Sequence, residues 1–253
     1  MKGRKSDRQE GVVEKRDLSG GFSVLSSRIP FRRDQDVVFI QEEGRGGEEV
    51  IGVVDGWNNG EKISSDLPGR EAASFVAGRY PGAFLALRER SLDRAAQEAA
   101  EQVDREFLRR YPAHVASVGV FAFCFPDRTV IVSVGTIHLW TWDGTGWRKP
   151  EEIGDYFLTQ PPYESGSRTF WGRGELKGDP FYALRVDTVA LPGQTPIFMA
   201  TDGIDDVLAL REINQVQEEA GPSFPVFFET VTKQVLSSDK QRDDITLLLG
   251  WRP

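Results

Sequence analysis

Apolar residues along the chain recur in two rhythms, and the rhythm changes mark the elements. Val37–Ile40 and Val50–Val54 are short runs rich in β-branched residues, separated by Glu42–Glu49 with its three glycines and four glutamates. They predict two strands of a hairpin with a long polar loop. Gly69–Arg79 reads as a helix entered after Pro68. From Phe84 to Arg110 a longer helix is predicted, because Leu92, Ala96, Ala99, Val103 and Phe107 recur at steps of three or four. Tyr111-Pro112 ends it. Val118–Phe125 is apolar on both alternating faces, as an interior strand requires. Pro126-Asp127 predicts a turn, Val130–Trp142 a second strand, and Asp143-Gly144 another turn. Arg148–Lys177 has little periodicity and reads mostly as loop. Tyr182–Val189 and Ile197–Ala200 read as strands, Val207–Gln217 and Val226–Ser237 as helices, and Ile245–Trp251 as a closing strand. Strands bracketing pairs of helices predict two sheets with helices outside, an α+β layered domain.

With no separating linker and no repeat of solenoid period, residues 20–253 are expected to form one domain after a flexible tail at 1–19. The tail is expected because Met1–Asp17 is charged and lacks an apolar stretch, which also excludes a standard secretory signal. The 253 residues are 39 % hydrophobic and 28 % charged, an ordinary composition for a folded chain. A formal net charge of -8 argues against nucleic acid and anionic membranes as bulk electrostatic partners. No apolar run approaches the ~20 residues of a membrane helix. Cys124 is the single cysteine, so no intrachain disulfide forms. A buried, inert thiol in a cytoplasmic protein is the expectation. His114 and His138 are the only histidines, too few with one cysteine for an ordinary zinc site. A monomer is expected.

Candidate chemistry lies in four aspartates that abut apolar β runs. Asp36 precedes Val37–Ile40, Asp55-Gly56 follows Ile51–Val54, Asp202-Gly203 follows Ile197–Thr201, and Asp243 stands just before Ile245–Leu249. Aspartate is disfavoured inside strands, whereas at a strand end its carboxylate can point off the sheet edge into a cleft. Carboxylates aimed at one point repel one another unless a cation sits among them. Oxygen-only donors suit magnesium or manganese. Two such ions about 4 Å apart lower the pKa of a water between them and make it a nucleophile toward phosphorus. Asp-Gly is equally a common turn dipeptide, as expected for Asp143-Gly144, so each aspartate taken alone is ambiguous.

The segments around these aspartates carry a resemblance. Asp34-Gln35-Asp36, Gly52-Val53-Val54-Asp55-Gly56, Phe198-Met199-Ala200-Thr201-Asp202-Gly203-Ile204-Asp205-Asp206 and Arg242-Asp243-Asp244-Ile245-Thr246 resemble, in order and spacing, the motif set of the type-2C metal-dependent serine/threonine protein phosphatases. The resemblance runs from about Gly20 to Trp251. It implies a four-layer αββα sandwich of two antiparallel sheets flanked by helices, acting on phosphoserine and phosphothreonine in proteins. It further implies two Mg2+ or Mn2+ ions, with Asp55 bridging them and the Gly56 carbonyl on one. Asp202 and Asp243 would complete the other ion's protein shell, and Asp36 would hold metal-bound water beside Gln35, where the family often has glutamate. Asp206 matches the acidic position of an accessory metal. The family's phosphate-gripping arginine has its usual spacing at Phe31 here; Arg28, Arg32 and Arg33 are in range, and Arg32 is taken for the role, with Asp36 and Asp55, as a catalytic residue.

Two departures stand out. Trp57 occupies the position where the family often carries a histidine that could act as general acid. Val134-Gly135-Thr136 lacks the carboxylate that serves the accessory metal, which implies weak binding of a third ion, and the segment before Thr201 is short for the family. His114 and His138 are expected to be structural. Besides an active phosphatase, these departures allow a pseudophosphatase that uses the fold as a binding or regulatory module. A calcium-stabilised domain is disfavoured, because Val37 and Val38 stand where a calcium loop needs oxygen ligands.

Overall fold

A computed structural model describes residues 12–30, 34–42, 48–58, 67–135, 137–154, 167–168, 170–172 and 183–253. In chain order the elements are β1 (Val13–Asp17), β2 (Ser23–Ile29), β3 (Val37–Gln41), β4 (Glu49–Asn58), α1 (Leu67–Ala86) and α2 (Leu92–Arg110). Then come β5 (Val115–Cys124), β6 (Arg128–Val134), β7 (His138–Trp142), β8 (Trp147–Arg148), β9 (Ser167–Arg168), β10 (Trp171–Gly172), β11 (Ala183–Leu184), β12 (Asp187–Pro192) and β13 (Ile197–Ala200). A 3-10 turn at Asp202–Asp206 leads to α3 (Leu210–Ala220), α4 (Phe224–Ser237) and β14 (Ile245–Trp251).

Two antiparallel sheets form the centre. One has the order β1-β2-β14-β13-β7-β8; the other runs β12-β6-β5-β4-β3, with β10 also pairing β5. Helices α1 and α2 cover the second sheet, where Ala73, Val76, Tyr80, Ala96 and Phe107 meet Val50, Val54, Phe121 and Phe123. Helices α3 and α4 cover the first, where Ile213, Val216, Phe227 and Val231 meet Phe198, Leu247 and Leu249. Between the sheets lies a third core of Ile51, Val53, Val120 and Ala122 against Val24, Leu139, Ile197, Met199 and Leu248. The result is the four-layer α-β-β-α sandwich. Each fully buried Phe, Ile or Val in these seams contributes roughly 1.5–3 kcal/mol.

Several boundaries differ from the pattern-based expectation. The charged stretch Val13–Asp17, assigned above to the flexible tail, is an edge strand with five ladder partners on β2, where charged side chains sit in solvent without penalty. Strand β2 was not anticipated, because Ser26 and Ser27 interrupt its apolar run although both are buried. The long helix predicted from Phe84 starts at Leu92, since α1 continues through Pro81 to Ala86. The single strand expected over Val130–Trp142 is two strands in different sheets, broken at Gly135 with its φ of +96°. Its two halves share the inter-sheet core through Ile131 and Leu139, and their outer faces meet different helix pairs. The strand expected from Tyr182 divides into β11 and β12, Tyr182 itself lying outside the described residues. Helix α3 begins at Leu210, because the 3-10 turn occupies the residues before Val207.

Candidate functional site

Alternation along the strands decides what stands at one end of the inter-sheet seam. On β4, Val50 and Val54 face the helices whereas Ile51 and Val53 face the other sheet, so Asp55 continues the inter-sheet face. On β3, Val38 and Ile40 pack into the seam, and Asp36 precedes them at the same parity. Ile197 and Met199 of β13 lead by the same step to Thr201, and Leu248 of β14 leads back to Thr246. Two strands from each sheet thus run from an apolar seam into a shared polar end. Asp55 lies inside β4 rather than after it, because the strand extends to Asn58 along β5.

Close backbone approaches hold this end together. A Cβ on Gly56 would sit 1.9 Å from the Gly69 carbonyl oxygen, so only glycine lets the first turn of α1 reach the end of β4. A Cβ on Gly203 would meet the Asp244 carbonyl oxygen at 2.4 Å, which brings the turn after β13 against the start of β14. The Thr201 hydroxyl donates to Asp36 Oδ2 at 2.9 Å, and its oxygen accepts the Thr246 N–H at 2.9 Å. Gln35 N–H donates to Asp244 Oδ2 at 3.2 Å. Asp206 Oδ2 accepts the Arg242 N–H at 3.1 Å, and Asp243 Oδ1 accepts the Asp244 N–H at 2.9 Å.

Charge within the group is under stress. Asp36 is buried, and that burial pushes its carboxyl from the ordinary 3.8 up to about 7, against hydrogen bonds from Asp55, Thr201 and Thr246 that favour the anion. Asp55 is raised well above the ordinary value, first by burial and then by the charges of Asp36 and Asp202, with Asp243 adding to them. Asp202 opens toward solvent, yet the crowding protein around it and then the charge of Asp243 raise its carboxyl to about 6. These four carboxylates, from four separate chain segments, therefore act on one another.

The donor chemistry fits a hard divalent cation: oxygen only, negatively charged, and destabilised for want of positive charge. Among the described residues, however, no group of three or more His, Cys, Asp or Glu side chains forms a finished metal-holding arrangement. Magnesium keeps several waters and uses only one or two carboxylates, so it does not call for an all-protein cage.

Asp36, Asp55, Asp202 and Asp243 are thus the sequence-derived residues that the fold brings together. Asp206, facing Arg242, is three residues beyond Gly203, and Gly56 lies against Gly69. Arg32 and Arg33 lie outside the described residues, as does Thr136. Trp57 is 41 % exposed. His138 stacks on Trp140 and places Nε2 3.0 Å from Asp205 Oδ2. Sequence reading passed over Thr201 and Thr246 as site residues, although their parity with Met199 and Leu248 is the signal that finds them. It also passed over Arg70, which reaches Asp34 Oδ2 at 2.5 Å while Arg28 binds Oδ1.

No protein-family model matches the chain, and no curated protein matches it. Solved structures do. A bacterial serine phosphatase shares 13 % identity over 96 % of this chain and 98 % of its own, with a TM-score of 0.65. The serine/threonine phosphatase of S. agalactiae shares 13 % over 92 % and 99 %, TM-score 0.65. Serine-threonine phosphatase 2C of Toxoplasma gondii shares 14 % over 96 % and 99 %, TM-score 0.65. At such identities the likeness is one of fold, and the fold is that of the type-2C serine/threonine phosphatases.

Proposed function

We propose that this protein hydrolyses phosphoserine and phosphothreonine in proteins, using two Mg2+ or Mn2+ ions held at the polar end of the inter-sheet seam. The raised carboxyls of Asp36, Asp55 and Asp202, with the charge of Asp243 beside the last two, carry the reading. A chain that held no cation would gain by dispersing these charges. Asp55, the Gly56 carbonyl, Asp202 and Asp243 are the proposed ligands, with Asp36 and Asp206 around them. Bound there, the ions would acidify a water for attack and neutralise the phosphoryl oxygens.

The chain's own groups supply orientation. Thr201 fixes Asp36 through a buried hydrogen bond, so Asp36 can hold a water in one place and accept its proton. Asp202 and Asp243, open to solvent, leave room for a phosphoprotein to approach. Arg32 is proposed to grip the phosphate through its planar fork of donors.

A second reading, a pseudophosphatase that binds partners without turnover, draws on the lack of a finished metal cage among the described residues and on Trp57 after Gly56. Phosphate release from a phosphothreonine peptide, with manganese and with EDTA, separates the two. Release that requires manganese supports the enzyme; no release from folded, manganese-loaded protein sinks it.

A further inference from the structure

The two sheets do not end together on the β1–β3 side. Sheet order places β2 and then β1 beyond β14, whereas the facing sheet stops at β3. Among the described residues β3 pairs only with β4, so its outer edge keeps unpaired backbone donors and acceptors. Between the overhang and this edge lies a cleft of about 590 Å³. Its wall along β3 is Val37, Val38, Phe39 and Ile40, all half-buried. The cleft adjoins the aspartate site: Arg28 in its lining is the ladder partner of Thr246, and Asp34 lies two residues before Asp36.

Arginines crowd this cleft in a chain of net charge -8. Its lining holds Arg16, Arg28 and Arg70 against Glu14 and Asp34, three cations to two carboxylates. Arg16 is matched by Glu14 at 3.6 Å. Arg28 and Arg70, from β2 and α1, close on the two oxygens of Asp34, so two guanidiniums share one carboxylate. Arg28 Nε is buried and makes no hydrogen bond. The pair is already arranged around an oxyanion, with one positive charge and one donor left over.

We propose that this cleft is a docking groove for the substrate polypeptide beside the phosphorylated residue. In it Arg28 and Arg70 exchange Asp34 for an oxyanion carried by the peptide. The proposal rests on the phosphoprotein reading above. An extended peptide fits the occupant, since a free strand edge offers main-chain hydrogen bonds and the apolar strip offers side-chain contact. A side-chain carboxylate and a second phosphate present the same chemistry to the clamp.

Fluorescence anisotropy on the full chain in EDTA tests this without turnover, so an inactive protein would still give an answer. Labelled peptides of one sequence carry an unphosphorylated threonine at the position of attack and differ at one neighbour: glutamate, phosphoserine or glutamine. The glutamate and phosphoserine peptides are expected to bind about tenfold tighter than the glutamine peptide, as for one charge-assisted bidentate contact. Arg70→Ala, on a half-exposed helix position that folding tolerates, is expected to erase that preference, and Asp34→Asn to widen it. A further gain for phosphoserine over glutamate identifies phosphate as the natural anion; parity identifies carboxylate. Equal binding of all three peptides, or a preference that survives Arg70→Ala, overturns the proposal.

Discussion

Replacing Asp55 by asparagine is expected to make the metal-free protein more stable at alkaline pH. In the fold Asp55 shares a hydrogen bond with Asp36, and both carboxyls are raised. An asparagine amide donates the same bond without needing a proton. Asp36 sets the scale of the cost. A carboxyl that ionises near 7 in the fold, and at 3.8 outside it, costs the folded state roughly 4 kcal/mol once the pH exceeds both values. The sign is fixed by proton binding: between these values the folded state holds the proton and the unfolded state does not, so stability falls as pH rises. Asp55 is raised too, and relaxation and water entry are expected to recover about half of such a cost. A gain of about 2 kcal/mol, or ~4–8 °C in melting temperature for a chain of this length, is expected at pH 8. Toward pH 4 the gap should close, because the folded state is then fully protonated and the unfolded state increasingly so. The assay is thermal unfolding in EDTA at pH 4.5, 6 and 8, repeated with manganese. With manganese the order should reverse, since the wild type gains about 3 kcal/mol at a hundredfold excess over its dissociation constant and the variant less. A variant that melts at or below the wild type at pH 8 without metal would refute the reasoning. So would a gap that does not shrink on acidification.

Other outcomes follow from individual contacts. Gly56→Ala should lower stability by about 3 kcal/mol in urea unfolding, because its Cβ would lie 1.9 Å from the Gly69 carbonyl and backbone must move. Thr201→Val should cost about 2 kcal/mol, as the buried Thr246 N–H loses its acceptor and Asp36 its donor. Burial pushes the Cys124 thiol up to about 12, so the native protein should resist a thiol reagent at pH 8 and react once unfolded.

How much of this was readable beforehand depended on whether a segment's polarity matched its burial. Ile245–Trp251 is buried throughout and apolar but for Thr246, and its bounds were read correctly. The Asp143-Gly144 turn is where expected, with Asp143 Oδ1 accepting from Thr145 and Gly146 N–H. Strand β2 failed the same test, since its serines are buried between paired strands. The passage from β6 to β7 was hidden because the apolar run continues while the chain changes sheet at Gly135. The helix expected over Gly69–Arg79 continues through Pro81 to Ala86, because tertiary packing of Tyr80 and Phe84 carries α1 on. The four aspartates stood out as strand-end carboxylates. Their convergence did not, because it depends on which face each strand presents and on two glycine contacts, Gly56 to Gly69 and Gly203 to Asp244. The Arg28–Asp34–Arg70 cluster joins three segments and leaves no local trace in the sequence.

The most direct measurement is phosphate release from a phosphothreonine peptide by the wild type and Asp202→Asn in parallel, each with and without manganese, with folding verified in every sample. The account predicts release by the wild type only with manganese, and a collapse of that release in the variant. Release that persists in EDTA, or equal release by the variant, would contradict it.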